Sequence, residues 1–330
     1  MRANVNTPQL LAAHENFYRD FDKMAEDALE WDIHYEQTGT GAFSGRLTQV
    51  ILSSLQLGRV QWSPGIIEHG AAPHGNWVVA LPVSAEGTLH VRGRPVSIDQ
   101  ALFVPAGEDI AFTANGRTDL MVAALHTTQI ERWMQVRRGV DGIDRRQLSH
   151  SHGVAGHGNA ERKLLLKDTL GVLMEQGHDA SYEVLSAAQS VILDTVLGTI
   201  PSFEAIEPLH HRAKIATSLR AVLHENLEAA ISISDLCERM GVRERTLYVA
   251  CQEAFGKPPK RLLHKLRLNA TKRQLSQPFA HTDVTSVALR FGFLHLGRFA
   301  AEYRSLFGEL PSVTLARARG EQIRRWPRQP

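Results

Sequence analysis

Two short stretches of this 330-residue chain carry side chains whose order could do chemistry. In "ERTLYVACQEAF", residues 244–255, a helical advance of about 100° per residue gathers Leu247, Ala250, Cys251, Ala254 and Phe255 on one side. Arg245, Val249 and Gln252 face the other way, with Tyr248 at the edge. Arginine can donate two parallel hydrogen bonds to guanine, glutamine can pair with adenine, and an apolar group can touch a thymine methyl. In "GFLHLGRFAAEYRSLFG", residues 292–308, Phe299, Tyr303, Leu306 and Phe307 recur at helical spacing, and Gly297, Arg298, Ala301 and Ser305 lie opposite. Gly297 weakens a helix by roughly 1 kcal/mol relative to Ala, which a purely structural helix would not need. Small groups there let a backbone approach base edges while Arg298 supplies donors.

Each stretch is the second helix of a pair. "ISISDLCERMG" predicts a short helix with Ser234 as its N-cap and Gly241 at its end. "DVTSVALRFGFL" repeats the plan, with a helix over Val284–Phe291, a turn over Gly292–Leu294 and the next helix from His295. Helix, short glycine-containing turn, helix is the helix-turn-helix plan. Between the pairs, Pro258–Gln274 predicts a long basic helix, apolar through Leu262, Leu263, Leu266 and Ala270, with Leu268 on the opposite side. Such a helix suits a rigid spacer, and two units one DNA turn (~34 Å) apart would enter successive major grooves. A further helix over 212–228 carries Ile215, Leu219, Val222, Leu223 and Leu227 as its stripe. Charge follows the same division. Residues 210–330 hold 21 Lys and Arg against 10 Asp and Glu, while the preceding residues balance at −9 within a net charge of +2. A basic third behind an acidic two-thirds points to nucleic acid.

The rest of the chain predicts a different architecture. Residues 8–37 read as helix from the spacing of Leu10, Leu11, Phe17, Phe21, Met24 and Leu29. From Arg46 to His126, short apolar runs alternate with Gly, Pro, Asn and Asp, which predicts an antiparallel β-sandwich or barrel. Helices follow over 129–138, 160–176 and 181–198, with a Gly/His/Ser/Asp-rich surface loop over 139–159. The stripe Leu185, Ala188, Ile192 and Val196 fits either core packing or a dimer seam. The fold class is therefore α+β: an N-terminal β-rich, cupin-like barrel domain with flanking helices, and a C-terminal all-α domain with two helix-turn-helix motifs. The expected division is 1–200 for sensing and dimerisation, 201–209 for a linker, 210–320 for the DNA-binding domain and 321–330 for a basic tail.

Other chemistries find little support. His69, His74, His90 and His126 lack the spacing of a metal site, and no nucleophile triad, phosphate loop or dinucleotide fingerprint is present. No enzyme activity, cofactor or metal is expected. Cys237 and Cys251 fall at apolar helix positions and read as core residues in a reducing compartment. The chain has no run of 18 apolar residues and no signal-peptide core at its start, so a cytoplasmic protein without a membrane partner is expected. Trp62, Trp77 and Phe103 are the candidate lining of an effector pocket, with plain core packing as the alternative.

"ISDLCERMGVRERTL", "RLNATKRQL" and "VALRFGFLHLGRFAAEYRSLFGELPSVTL" together resemble the AraC/XylS family of bacterial transcription regulators over about residues 212–319. The resemblance implies a seven-helix DNA-binding domain containing two helix-turn-helix units. It implies that Arg245, Tyr248, Val249 and Gln252 face bases in one groove segment, and Gly297, Arg298 and Ala301 in the next. Arg243, Lys260, Lys272, His295 and Arg304 would contact phosphates. Arg243 departs from the family pattern, which often has a capping Ser at that position. Upstream, "WDIHYEQTGTGAFSGRLTQVILSSLQL" and "GNWVVALPV" resemble the ethanolamine-operon activator branch. That branch implies an effector-sensing domain, with ethanolamine and adenosylcobalamin as the implied effector. The resulting expectation is a ligand-responsive activator that binds promoter DNA and RNA polymerase and can form a homodimer. Two alternatives stay open: a barrel metalloenzyme with an accessory nucleic-acid-binding domain, and a constitutive DNA-binding protein without an effector.

Overall fold

The computed structural model describes residues 8–138, 154–157, 160–199 and 211–320. In chain order the first part runs β1 (Leu10–Tyr18), α1 (Phe21–Glu26), β2 (Asp32–Gln37), β3 (Ser44–Leu52), β4 (Leu55–Ser63), β5 (Ile66–Ala71) and β6 (Asn76–Ala85). It continues with β7 (Leu89–Val91), β8 (Arg94–Val96), β9 (Gln100–Val104), β10 (Ile110–Ala114), β11 (Thr118–His126), α2 (Thr127–Arg138) and β12 (Val154–His157). Two helices close it, α3 (Ala160–Gln176) and α4 (Tyr182–Leu197). The expected linker over 201–209, the tail over 321–330 and most of the loop over 139–159 lie outside the described residues.

The strands form two antiparallel sheets rather than one closed barrel. A seven-stranded sheet has the order β1-β3-β4-β11-β6-β9-β12, and a five-stranded sheet the order β2-β5-β10-β7-β8. Tyr35, Ile66 and Phe112 of the smaller sheet meet Leu47, Val78, Ala80, Leu102 and Leu120 of the larger one. The other face of the large sheet carries Val50, Leu57, Trp77, Val79 and Leu81, and it is covered by α2, α3 and α4. Burial on both faces explains why β6 reads as the continuous apolar run WVVALPV. The stripe Leu185, Ala188, Ile192 and Val196 of α4 belongs to this outer core, so it is covered within the chain.

The helix expected over 8–37 is a strand, a one-and-a-half-turn helix and a second strand. β1 pairs with β3 from Leu10 to Tyr18, and the ladder overrides a local pattern that carries few β-branched residues. Leu11 and Phe17 are 55% and 74% exposed, so the apparent helical stripe never formed a core face. α1 is set by Asp20, whose carboxylate accepts the Asp22 and Lys23 amides at 2.9 and 3.2 Å.

The C-terminal part comprises seven helices among the described residues: α5 (His211–Glu225), α6 (Ile233–Met240), α7 (Glu244–Phe255), α8 (Pro259–Ser276), α9 (Val284–Arg290), α10 (Leu296–Phe307) and α11 (Pro311–Ala318). α8 is the shared spine. Leu262, Leu263 and Leu266 join the core of α5, α6 and α7. Leu268 and Leu275 join the core of α9, α10 and α11, which runs on through Phe21 and Phe43 into the space between the sheets.

The spine is also docked on the N-terminal part. Asn269 and Gln37 exchange hydrogen bonds, Gln37 N–H donating to Oδ1 at 2.9 Å and Nδ2 donating to Gln37 O at 3.0 Å. Arg273 Nε pairs with Asp22 at 2.9 Å. His224 of α5 lies 2.8 Å from the fully buried carboxylate of Glu36. No helix of the described residues is long and apolar enough to cross a membrane.

Candidate nucleic-acid interface

The first helix of each pair is capped, and the second is not. Ser232 accepts the Asp235 amide at 3.1 Å, while Asp235 accepts the Ser232 amide at 2.8 Å, so α6 opens with a reciprocal capping box. The expected cap, Ser234, lies inside the helix. Asp283 caps α9 by accepting the Ser286 amide at 2.9 Å. α7 and α10 begin instead at Arg243 and His295, neither of which makes a side-chain cap hydrogen bond. Free amides at a helix start, beside a basic side chain, are suited to a phosphate. Gly241 ends α6 with φ 62°, and Gly292 follows α9 with φ 81°, conformations that favour glycine in both turns.

The facing expected for α7 is observed. Leu247, Ala250, Cys251, Ala254 and Phe255 are buried, Arg245 and Gln252 are exposed, and Tyr248 and Val249 are half-buried. Burial pushes the Cys251 thiol up to about 12, which fits a core group and not a nucleophile. On α10, Phe299, Tyr303, Leu306 and Phe307 are buried, while Gly297, Arg298, Ala301 and Arg304 are exposed. Arg298 is 76% exposed and its Nε donates to Glu302 at 3.0 Å. Burial pulls the Glu302 carboxyl upward, but Arg298 and His264 more than offset it and hold it below the usual range. An exposed pair one turn apart contributes only about 0.3–0.5 kcal/mol, so Arg298 can leave Glu302 for a stronger partner.

Of the five residues expected at phosphates, Arg243, Lys260, His295 and Arg304 are exposed. Lys272 is a correction. It is 5% exposed, forms an ion pair with Asp20, and lies 4.3 Å from the centroid of the Phe21 ring. In this arrangement it serves the docking of α8 and cannot reach a phosphate. Arg261 and Lys265 were missed. With Lys260 and Arg298 they line a groove between α8 and α10, whose wall also holds Glu302. The signal was present in "KRLLHK", where basic groups recur at i, i+1, i+4 and i+5 on one helix.

A second groove runs beside α7. Its walls are Arg245, Thr246 and Val249 on one side and Gly93, Arg94 and Pro95 of the β7–β8 hairpin on the other. A Cβ on Gly93 would stand 3.2 Å from the Ala254 Cβ, and Gly93 has φ 76°, so this approach requires glycine.

The residues expected to line an effector pocket do not line one. Trp77 and Phe103 pack with tilted rings, centroids 5.0 Å apart, on the helix-covered face of the large sheet. Trp62 is buried behind Tyr35 and Phe112, with ring centroids 6.2 and 6.1 Å away. The cavity itself lies between the sheets, measures about 90 Å³, and is lined by Trp31, Tyr35, Glu68, Ala80 and Phe112 among others. A water needs roughly 10–15 Å³ of such space, so a small organic group fits. The sequence signal lies in β6, where Val78 and Ala80 face inward and the larger Trp77 and Leu81 face the helices. Among the described residues no cluster of three or more His, Cys, Asp or Glu could hold a metal ion.

Two capped-then-uncapped helix pairs on one spine define a double helix-turn-helix domain. Residues 236–317 match the helix-turn-helix domain family. The XylDLEGF operon transcriptional activator of Pseudomonas putida is 41% identical over 100 residues, 30% of this chain and 31% of that protein. The probable thc operon regulatory protein of Rhodococcus erythropolis is 36% identical over 95 residues, 28% of each chain. A crystallised probable AraC family transcriptional regulator from Rhodopseudomonas palustris is 34% identical, covering 32% of this chain and 97% of that one at a TM-score of 0.31. The C-terminal domain thus matches the helix-turn-helix domain family and the corresponding part of curated operon regulators. The matched region spans about three-tenths of the curated relatives' length.

Proposed function

We propose that this chain is a sequence-specific DNA-binding regulator of transcription, an activator whose N-terminal domain takes a small effector. The observation that carries the reading is the pair of outward faces on α7 and α10, presented on either side of one rigid spine. Arg245, Tyr248, Val249 and Gln252 would read one major-groove segment, and Gly297, Arg298 and Ala301 the next. Arg243, Lys260, His295 and Arg304 would hold the phosphates that fix the register. The operon-regulating roles of the two curated relatives, one of them an activator, support the same reading for the matched domain. The ethanolamine-operon branch, contact with RNA polymerase, a homodimer, cytoplasmic location and the absence of enzymatic activity belong to the proposal as well. So does the division into a sensing domain over 1–200 and a DNA-binding domain over 210–320.

Effector action would be a change in the docking of the two domains. The β7–β8 hairpin stands beside the reading face of α7, and a duplex seated there would meet it. An effector that favours the undocked arrangement shifts the population only by its difference in affinity for the two arrangements. Selection of binding sites from a random DNA pool by the full chain tests the reading. Two short conserved elements about 10–10.5 base pairs apart are the expected outcome. A pool that stays unenriched would remove the function proposed here.

A further inference from the structure

The cavity between the sheets is largely apolar. Gln49, Gln56 and Glu68 are its chief polar lining groups besides Tyr35 and Trp31. The two glutamines already hold hydrogen-bond partners. Gln49 Nε2 donates to Gln56 Oε1 at 2.9 Å, and its Oε1 accepts the Leu29 amide at 3.2 Å. Gln56 Oε1 also accepts the Trp31 indole N–H at 2.8 Å, and its Nε2 donates to Glu30 at 2.5 Å. Glu68 differs. Burial pushes its carboxyl up to about 7, and among the described residues no donor or cation offsets that burial. Glu68 lines the cavity beside its register partners Phe112 on β10 and Tyr35 on β2, and it also borders a smaller space walled by Arg92 and Arg220. Among the described residues no Lys, Arg or His lines the cavity.

A half-buried carboxyl on a largely apolar wall without a partner is costly, and a ligand that brings a charged donor reduces that cost. Within the cavity an anionic ligand would find no counter-charge and would face Glu68 itself, which disfavours it. The aromatic faces of Trp31, Tyr35 and Phe112 add a favourable surface for a cation. We propose that this cavity binds a small organic amine, its hydrocarbon body against Tyr35, Val78, Ala80 and Phe112 and its ammonium donating to the Glu68 carboxylate. The inference rests on the reading of the N-terminal domain as the sensing domain and names the chemistry of what it senses. Ethanolamine itself is a poor match, because its hydroxyl would enter a wall whose glutamines are already bonded.

The position of Glu68 connects the ligand to the helical domain. Its neighbours on β5 point the other way: Ile67 joins the core of α5, α6 and α7. The His69 ring lies 5.6 Å from His224 of α5. A ligand that draws on Glu68 therefore acts on a strand that touches the DNA-binding domain directly.

Calorimetry and thermal melting of the full chain with benzylamine, benzyl alcohol, benzoate and ethanolamine test the proposal, on the wild type and on Glu68→Gln. Benzylamine should raise the melting temperature and bind at least about tenfold more tightly than benzyl alcohol. Benzoate should leave the melting temperature unchanged, and ethanolamine should bind more weakly than benzylamine. Glu68→Gln keeps the shape of the side chain and should erase the preference for the amine while keeping the affinity for the alcohol. Equal binding of amine and alcohol, a preference for benzoate, or an amine preference that survives in Glu68→Gln would overturn the amine assignment and leave the cavity as a sensing site. If none of the four binds the wild type, and the cavity-filling Ala80→Phe melts like the wild type, both the assignment and the sensing role of this cavity fall.

Discussion

The two helix-turn-helix units are held by the N-terminal domain on different sides. The second unit is gripped from behind. Phe307 packs 6.4 Å from Phe21, the Gly41 amide donates to Ser305 O at 3.0 Å, and Gln37 donates to Leu306 O. Its reading face, Gly297, Arg298 and Ala301, stays exposed. The first unit is approached from the front, where the β7–β8 hairpin shares a groove with Arg245 and Val249. One domain contact thus steadies one unit and screens the other. Loss of docking should therefore cost the second unit stability and give the first unit access.

The largest effect should come from breaking the rear grip. Phe307→Ala removes a buried ring shared by the second unit and α1 and should lower stability by about 3–5 kcal/mol in urea denaturation. A loss below about 1 kcal/mol would show that the grip contributes little. Loosening the front contact should have a smaller and opposite consequence for DNA. Gly93→Val places a Cβ against Ala254 at a positive φ, a strain of about 1–2 kcal/mol that pushes the hairpin from α7. Affinity for the element read by the first unit should rise a few-fold, with the second element unchanged; a fall at the first element would contradict screening. The smallest effects separate capped from uncapped helices. Ser232→Ala should cost about 1 kcal/mol of stability. Arg243→Ala should leave stability unchanged and reduce the slope of log affinity against log salt by about one.

The helical domain was far more legible than the β-rich one. α7 spans the residues its spacing predicted, and its five inward residues are all buried, because a lone amphipathic helix writes its contacts into a single local period. Ser232 was misread by two residues although the Ser-x-x-Asp box was visible in "SISD". Lys272 looked like its basic neighbours Lys260 and Arg273 on α8. Only the tertiary approach of Asp20, from the other end of the chain, turns it inward. The same distance effect misled the reading of β1, whose partner strand and not its own pattern sets its conformation. The cavity was hidden for another reason. Both faces of β6 are apolar, so the pattern could not say which one left a space, and the aromatic residues chosen proved to be the well-packed ones. Glu68 stood out as a charge at an inward position of "IIEHGA", a signal that alternation alone could have raised.

The most direct measurement is a footprint of the full chain on a selected two-element site, repeated with Arg245→Ala and with Arg298→Ala. Each arginine should specify its own element, so each substitution should cost about 1–3 kcal/mol of discrimination at one element and leave protection of the other. Footprints that remain unchanged, or that fade equally across both elements with either substitution, would contradict the assignment of α7 and α10 as two separate reading helices.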